Sequence, residues 1–300
     1  MAALERFLEM LAAEKGVARS TLSAYETDLK DFFHFLKGKD PNQVSHQEIQ
    51  NYLQTQKHLA SSSLARRLSA LRQFYKYLIS EENLIENPTT IIESPRYRRK
   101  LPSVLSEEDV TRLLEGARSW QGEEGIRLSA LLEILYASGF RVSELVSLSF
   151  AAAVEVLKSD KPFLMVRGKG NKDRLVPLTS AALEALQKYL KIRASFLKKG
   201  KESPWLFPSS SREGHLTRQR FGQLLKELAA KVGMNPQILS PHTLRHAFAT
   251  HLLRHGADLM IVQKLLGHSD ISTTQIYTHV AQDDLAEMVK TYHPLGKGFT

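Results

Sequence analysis

The chain has 300 residues, 42% of them hydrophobic, which predicts a globular protein of two domains, each large enough to bury a core. Lysine and arginine number 41 against 32 acidic residues, so the net charge of +9 points to a polyanionic partner. The absence of cysteine excludes disulfides, thiolate metal sites and a cysteine nucleophile, and the lack of a secretion signal or an apolar run of ~20 residues predicts a cytoplasmic protein without a membrane span.

Residues 4 to 79 show helical periodicity and no strand alternation. One predicted helix, centred near residue 71, has a single apolar face. Cations lie elsewhere around it: Arg66, Arg67, Arg72 and Lys76. Their clustering favours contacts with DNA phosphates. For each single residue, the alternative is an ordinary solvated helix face.

Helical periodicity fails between Asn87 and Pro102, where prolines interrupt the chain. This short span also concentrates positive charge: Arg96, Arg98, Arg99 and Lys100. We interpret it as an extended basic linker between two domains. Such a linker suits a protein that closes around a duplex, although basic linkers also serve solubility.

The second domain begins at Ser106, which precedes three acidic residues and so predicts the capped start of a helix. An apolar helix is predicted over residues 128 to 136, ending at Gly139. Arg141 follows at the start of another helix, with Glu144 three residues later on the same face. The Glu144 carboxylate is thus suited to hold the Arg141 guanidinium, and a plain surface cation is the alternative.

Residues 163 to 178 are the one convincing strand region, because two apolar runs flank a glycine-rich turn. The pattern predicts a β-hairpin with Lys169 at its tip. The turn lacks the spacing of a Walker A loop and precedes no helix, which argues against nucleotide binding. Helices are predicted to resume over 180–196 and 217–232. A lysine at a hairpin tip is usually solvated, so Lys169 alone indicates little.

One segment near the C-terminus concentrates side chains suited to a phosphate. His242 and Arg245 stand three positions apart on a predicted helix that opens after a serine and a proline, so they share a face. A second short helix is predicted to end at Gly267, immediately before His268. Tyr277 follows a Ser-Thr-Thr run that predicts the capped start of another short helix.

Five motifs occur along the chain: Gly-Phe-Arg-Val-Ser-Glu-Leu (139–145), Gly-Lys-Gly-Asn-Lys-Asp-Arg (168–174), Pro-His-Thr-Leu-Arg-His (241–246), Leu-Leu-Gly-His (265–268) and Tyr-Thr-His (277–279). Together they resemble, in family order, those of the tyrosine recombinases of the phage integrase family, and most of all its bacterial Xer group. The resemblance implies a mainly α fold with a small β-sheet. It also implies a helical, SAM-like core-binding domain (1–87), a basic linker (88–102) and an α+β catalytic domain (103–300), which form a C-shaped clamp on DNA.

The resemblance implies a catalytic set of Arg141, Lys169, His242, Arg245, His268 and Tyr277. The tyrosine is the implied nucleophile, whose attack on a DNA phosphodiester leaves a 3′-phosphotyrosine and a free 5′-hydroxyl. The two arginines match those that bind the non-bridging phosphate oxygens. The lysine matches a candidate general acid, the first histidine manages the tyrosine proton, and the second contacts the phosphate. Rejoining reverses the step, as in type IB topoisomerases, so neither a cofactor nor a metal is implied.

The resemblance further implies a site-specific recombinase that resolves chromosome dimers at cell division. The implied partners are a double-stranded DNA site, a sister Xer recombinase in a homo- or heterotetramer on two duplexes, and a septal DNA translocase. The stretch from Gln282 to Thr300 predicts a helix carrying Leu285, Met288 and Val289, with little sequence left to pack on. In relatives such a segment docks into a neighbouring subunit. Folding back on its own domain is the alternative.

One departure from the family pattern is the run from Phe150 to Ala153, where relatives usually carry an acidic turn. Other functions also stay open. The chain suits an integrase or a transposon or plasmid recombinase of the same family, and a non-catalytic DNA-binding protein with the same fold, although the intact tyrosine argues against the last.

A metal-dependent hydrolase is a further alternative, because seven of the eleven histidines follow residue 240. His242 and His246 have i, i+4 spacing, and His251 and His255 repeat it. Against a metal site, the first pair lacks the glutamate of His-Glu-x-x-His and has no evident third ligand.

Overall fold

The computed structural model describes residues 2–13, 17, 19–81, 84, 86–93, 104–159, 162–167, 173–197, 201–267 and 287–295. The chain divides into two compact units, Met1–Lys100 and Leu101–Thr300, and each has its own hydrophobic core. The described residues are mainly helical, with one two-stranded sheet, so the predicted fold class is confirmed. None of the helices within the described ranges is both long and apolar enough to cross a membrane.

The first unit contains α1 (Ala2–Ala13), α2 (Arg19–Leu36), a 3₁₀ turn (Pro41–Gln43), α3 (His46–Thr55) and α4 (Ser61–Glu81). A capping box starts α3, since the side chains of Ser45 and Glu48 each accept the other's backbone N–H. Aromatic rings hold the helices together: the ring of Phe32 on α2 meets that of Tyr52 on α3 edge-on, with centroids 5.0 Å apart. The described residues of this unit form helices and their connecting loops, with no strand, as predicted.

Two cations of α4 are held by acidic side chains of α2. Arg67 is buried, and its Nη2 donates to Asp31 Oδ2 at 2.6 Å while its Nη1 donates to Tyr52 Oη at 2.6 Å. Arg66 pairs with the buried Asp28. The prediction that Arg67 contacts DNA was therefore wrong, because its guanidinium is buried and bonded to side chains of neighbouring helices.

The predicted linker begins with a folded turn rather than an extended chain. Residues 88–91 form the turn, and the hydroxyl of the buried Thr89 donates to Asn87 Oδ1 at 2.6 Å. Ile92 packs into the core of the first unit, and its carbonyl accepts from Arg72 Nη2 at 2.6 Å. The first unit thus extends at least to Ile92, and the four linker cations lie outside the described residues.

In the second unit, α5 (Glu107–Ser119), α6 (Glu123–Ser138) and α7 (Val142–Val146) follow one another. Ser106 and Asp109 form the predicted capping box of α5. Helix α6 is buried almost all round and ends at Gly139, whose φ of 60° lies in the left-handed region that favours glycine. A Cβ at this position would also lie 2.4 Å from the ring of Phe248. The glycine therefore turns the chain, and Arg141 occupies the N-cap position at the start of α7, as predicted.

The alanine run forms part of α8 (Phe150–Val156), which Ser149 caps by accepting the N–H of Ala152. Ala153 is fully buried. The guanidinium carbon of Arg193 lies 3.9 Å from the centre of the Phe150 ring, within the range of a cation–π contact. The run is therefore a packed helical turn.

The predicted β-hairpin is confirmed by strands β1 (Phe163–Arg167) and β2 (Asp173–Pro177), which pair antiparallel. Leu164 lies opposite Val176, and Val166 lies opposite Arg174; all four are buried. Met165, on the other face, is 59% exposed, as the alternation of a strand requires. Lys169 lies outside the described residues.

The next elements are α9 (Ser180–Ile192), a 3₁₀ turn (Arg193–Phe196), α10 (Arg218–Lys231), α11 (Pro241–Arg254) and α12 (Leu259–Leu266). They confirm the helices predicted in these ranges. Ser240 caps α11 and Pro241 occupies its first turn. Helix α12 ends at Gly267, whose φ of 65° is again left-handed, as the sequence predicts.

The expectation that the terminal helix finds little to pack on was wrong. Residues 287–292 are helical, and Met288 and Val289 are buried in the core of the second unit. His293 is also buried, and its Nε2 lies 3.0 Å from the carbonyl oxygen of Tyr136 in α6. Residues 287–295 therefore pack on their own unit, while residues 296–300 lie outside the described residues.

Candidate active site

Arg141 is held by Glu144 within the first turn of α7. The backbone N–H of Arg141 donates to Glu144 Oε2 at 2.8 Å, and its Nη1 donates to Oε1 at 3.0 Å. Its Nη2 donates to the carbonyl oxygen of Gly267 at 3.1 Å. The Arg141 side chain is 36% exposed, so its guanidinium is fixed in position and still reaches solvent. The predicted pairing of Arg141 with Glu144 is confirmed.

Arg245 reaches the same place from α11. Its Nη1 donates to the carbonyl oxygen of Gly139 at 2.6 Å and its Nη2 to that of Leu266 at 2.6 Å, while Glu144 Oε2 lies 4.0 Å from Nη1. Burial, and then the positive charge of Arg141, lower the pKa of the Arg245 guanidinium to about 10. The group therefore stays charged at neutral pH, at an electrostatic cost that a bound anion would relieve.

A third arginine, Arg174 on β2, completes the cluster. Its Nη1 and Nη2 donate to Glu144 Oε1 and Oε2 at 2.9 and 2.7 Å, a bidentate pair, and its Nε donates to the carbonyl oxygen of Leu265 at 3.1 Å. Sequence reasoning missed this residue. The available signal was its place in β2, because an arginine two positions before the buried Val176 falls on the inward face, where only a paired charge is tolerated.

The end of α12 supplies three of the acceptors for these arginines. The carbonyl oxygens of Leu265, Leu266 and Gly267 accept from Arg174, Arg245 and Arg141 respectively. The last carbonyls of a helix have no partner within the helix and carry its negative dipole end, so cations are favoured there. A Cβ at Gly267 would lie 3.1 Å from Arg174 Nη1, a close approach that the glycine permits.

Among the described residues, Glu144 is the carboxylate that these three arginines share. Burial raises the pKa of its carboxyl, but hydrogen bonds and charge from Arg174, together with hydrogen bonds from Arg141, outweigh burial and leave the pKa below its usual value. Three guanidiniums and one carboxylate leave a net charge of about +2. An excess of positive charge with planar donor forks suits a phosphate diester whose charge grows in a transition state.

Of the six predicted site residues, the structure brings Arg141 and Arg245 together. His242 lies in the first turn of α11, three residues before Arg245, and is exposed. Lys169, His268 and Tyr277 lie outside the described residues.

The sequence profile of the Phage integrase family matches residues 103–284, and the profile of the Phage integrase, N-terminal SAM-like domain matches residues 4–82. The chain belongs to the phage integrase family. The first profile covers α5 to α12 and so contains the whole arginine cluster.

A similar protein indicates which group within this family the chain resembles. Tyrosine recombinase XerD of Agrobacterium fabrum is 50% identical over 99% of this chain and 95% of its own length. This similarity identifies the chain as a tyrosine recombinase, an enzyme that exchanges DNA strands at specific sites. The segments Ser-Pro-Arg (94–96) and Tyr-Thr-His-Val (277–280) predict a closer likeness to XerD than to XerC, and the resemblance to XerD is confirmed.

Two solved structures show the same fold. The XerH site-specific recombinase bound to a palindromic difH substrate matches with a TM-score of 0.67 and 22% identity, covering 95% of this chain and 83% of that one. A lambda integrase tetramer bound to a Holliday junction matches with a TM-score of 0.66 and 18% identity, covering 92% of this chain and 80% of that one.

Two of the four histidines that suggested a metal site, His251 and His255, have other partners. His251 is buried, with Nε2 at 2.8 Å from the Leu105 carbonyl oxygen and Nδ1 at 2.8 Å from Tyr136 Oη. Because a carbonyl only accepts, Nε2 carries the proton and Nδ1 accepts from the tyrosine. His255 Nε2 lies 2.8 Å from Glu107 Oε1. Among the described residues, no group of three or more histidine or acidic side chains is placed to hold a metal ion.

Proposed function

We propose that this tyrosine recombinase cuts DNA with Tyr277 and passes through a 3′-phosphotyrosine intermediate. The observation that carries the proposal is the convergence of Arg141 and Arg245 on Glu144 and on the last carbonyls of α12. Two arginines from distant parts of the chain are held by the same group of acceptors, which leaves their remaining donors for the two non-bridging oxygens of one phosphate.

The proposed step balances within DNA and protein. The oxygen of Tyr277 bonds to phosphorus as the bond to the 5′-oxygen breaks, so the number of phosphodiester linkages is conserved. His242 takes the phenol proton, Lys169 gives a proton to the departing 5′-oxygen, and His268 donates to the phosphate. Rejoining runs the same step backwards with another 5′-hydroxyl. These roles follow the family motifs at the same positions.

Positive charge is the physical basis of the proposed reaction. A tyrosine has an ordinary pKa of ~10, so its phenolate is scarce at neutral pH unless cations or a base assist. The cluster around Glu144 supplies a net charge of about +2 beside the proposed phosphate site. The same charge stabilises the phosphorane-like transition state.

Covalent trapping tests the role of Tyr277. The substrate is a duplex with a nick just downstream of the scissile phosphate, so that the short fragment carrying the new 5′-hydroxyl diffuses away after cleavage and the protein stays attached to the upstream strand. Tyr277→Phe should bind this DNA and form no covalent complex, whereas the matched Tyr292→Phe should form it normally. A covalent complex with Tyr277→Phe would exclude Tyr277 as the nucleophile.

We also propose the biological role that the Xer relatives suggest, the resolution of chromosome dimers. In this role both the core-binding domain (1–87) and the catalytic domain (103–300) contact the duplex, and four subunits act on two duplexes. The solved lambda integrase tetramer on a Holliday junction supports this arrangement. The proposed partners are a sister Xer recombinase, which receives residues beyond 295 as an exchanged tail, and a septal DNA translocase. The proposed location is the cytoplasm, where the chromosome lies.

Sequencing the DNA that becomes attached to the protein in cells tests this role. Attachment at one chromosomal site, strengthened when a sister recombinase is present, is the expected result. Attachment at the ends of a mobile element or on a plasmid would instead support the integrase or transposon recombinase function. Either outcome leaves the role of Tyr277 intact, because both reactions need a covalent intermediate.

A further inference from the structure

Arg174 is the least exposed of the three clustered arginines. Its side chain is 6% exposed, against 11% for Arg245 and 36% for Arg141, and it also lies near the ring of Phe140, at 5.8 Å from the centre. Its three bonded nitrogens all donate to protein acceptors, two to Glu144 and one to Leu265. Arg174 is therefore turned into the protein and is not available to bind DNA.

The carboxylate of Glu144 is saturated in this arrangement. A carboxylate has about four acceptor positions. Arg174 occupies one on each oxygen, at 2.9 and 2.7 Å, and Arg141 occupies the other two with its Nη1 and its backbone N–H, at 3.0 and 2.8 Å. Arg245 Nη1 lies 4.0 Å from Glu144 Oε2 and donates to the Gly139 carbonyl oxygen instead.

We propose that Arg174 is a positioning residue that occupies Glu144, so that Arg141 and Arg245 keep their charge for the scissile phosphate. This inference rests on the proposed function of the two arginines. Without Arg174 the net charge of the cluster falls from about +2 to about +1, and two acceptor positions of a buried carboxylate lose their donors. Arg245, with Nη1 at 4.0 Å, is the cation of the cluster that does not yet donate to Glu144, and the freed carboxylate then competes with the phosphate for it.

The contact with α12 gives Arg174 a second positioning effect. Its Nε donates to the Leu265 carbonyl, next to the Leu266 and Gly267 carbonyls that orient Arg245 and Arg141. Arg174 thus fixes both kinds of acceptor on which the phosphate-site arginines depend, the carboxylate and the helix end. This explains why a charged residue occupies an inward position of β2.

Single-turnover cleavage of the nicked substrate at saturating DNA tests the inference. Arg174→Met should reduce the cleavage rate by about 10- to 100-fold, as expected when a supporting partner of a reactive group is lost. Arg174→Met combined with Glu144→Gln should be faster than Arg174→Met alone, because the competing negative charge is gone. A merely structural Arg174 predicts the opposite order, since the double variant loses more contacts.

Further variants separate positioning from folding. Arg193→Met removes another buried arginine of the second unit, which donates to the carbonyls of Ser203, Trp205 and Leu206 and meets no carboxylate among the described residues. The folded fraction of the Arg193→Met protein should cleave the nicked DNA at the wild-type rate. Arg174→Lys keeps the charge but cannot reproduce the bidentate pair with Glu144, so its rate should fall between those of the wild type and Arg174→Met. Tryptophan fluorescence measures the folded fraction of every variant.

The inference is overturned if Arg174→Met cleaves like the wild type, or if the double variant is as slow as the single variant or slower. A folded Arg174→Lys protein with the full loss would also overturn it, because charge would then not be the cause. Failure of the proposed function looks different: the wild type itself would then form no Tyr277-dependent covalent complex.

Discussion

Each unit of this protein holds a cluster of arginines, and the two clusters differ in charge balance. In the first unit, Arg66 and Arg67 of α4 meet Asp28 and Asp31 of α2, so two cations face two anions. The hydroxyl of Tyr52 accepts a further bond from Arg67. The charges of this cluster cancel, and its contacts tie two helices together.

In the second unit, Arg141, Arg174 and Arg245 share the single carboxylate of Glu144. Backbone carbonyls at the ends of two helices supply the other acceptors, and these orient guanidiniums without neutralising them. The difference lies in the charge that each cluster keeps. Acidic partners in equal number cancel the charge of the first cluster, while carbonyl partners leave the second with a net positive charge that a neighbouring anion can use.

Removal of Arg245 should have the largest effect, because it takes charge from the unbalanced cluster. Arg245→Ala should slow single-turnover cleavage by about 10²- to 10³-fold, the usual loss for a donor aimed at transition-state charge. Arg254→Ala, at an exposed position in the last turn of the same helix, is the control and should cleave normally. An equal loss in both variants would remove Arg245 from the phosphate site.

Removal of Asp28 should break the balanced cluster and cost stability. Asp28→Asn should destabilise the first unit by about 1–3 kcal/mol, because Arg66 and Arg67 lose a buried carboxylate that both contact, although Arg67 keeps Asp31. Hydrogen exchange of amides in α2 and α4 measures the loss. The fluorescence transition of Trp120 and Trp205, the two tryptophans of the chain, should not shift, because both lie in the second unit. A shifted tryptophan transition would show that the cluster supports more than its own unit.

Acid should destabilise the second unit through the buried side chain of His293. Burial lowers the pKa of His293 to about 4, and burial also lowers the pKa of His251. The unfolded chain binds these protons more tightly, so stability is full above the unfolded pKa of about 6.5 and falls as the pH drops towards about 4. His293 alone should cost about 2 kcal/mol between about pH 7.5 and pH 5.

Urea unfolding followed by tryptophan fluorescence at several pH values measures this effect. His293→Gln should be less stable at neutral pH but should lose less stability on acidification, since one titrating group is gone. An unchanged pH dependence in that variant would show that His293 does not set it.

The smallest effect concerns the salt dependence of DNA binding, measured on the Tyr277→Phe background so that no covalent complex forms. Binding should weaken steeply with salt, because phosphate contacts release counterions. Arg141→Gln should lower the slope of log affinity against log salt by about 1, as expected for one lost phosphate contact. Arg66→Gln should leave the slope unchanged. If its slope also fell by about 1, the balanced cluster would contact DNA after all.

Local sequence signals predicted most of the helices and the pairing of Arg141 with Glu144 in the arginine cluster. The glycines at 139 and 267 end their helices as expected because left-handed backbone favours glycine, and the pairing of Arg141 with Glu144 follows from their spacing of three on a helix. Arg174 and Arg67 escaped prediction because their partners lie 30 and 36 residues away in sequence. Such pairings depend on how elements pack, which periodicity does not reveal.

The bond from Arg141 to Gly267 has a consequence for the proposed nucleophile. Arg141, the proposed phosphate ligand, donates to the carbonyl of Gly267, and Tyr277 follows ten positions later in the chain. Ten residues span at most about 35 Å when fully extended, which sets an upper limit on the distance between Gly267 and the tyrosine. Because Arg141 is bonded to Gly267, a displacement of this arginine would also displace the residue from which that limit is counted.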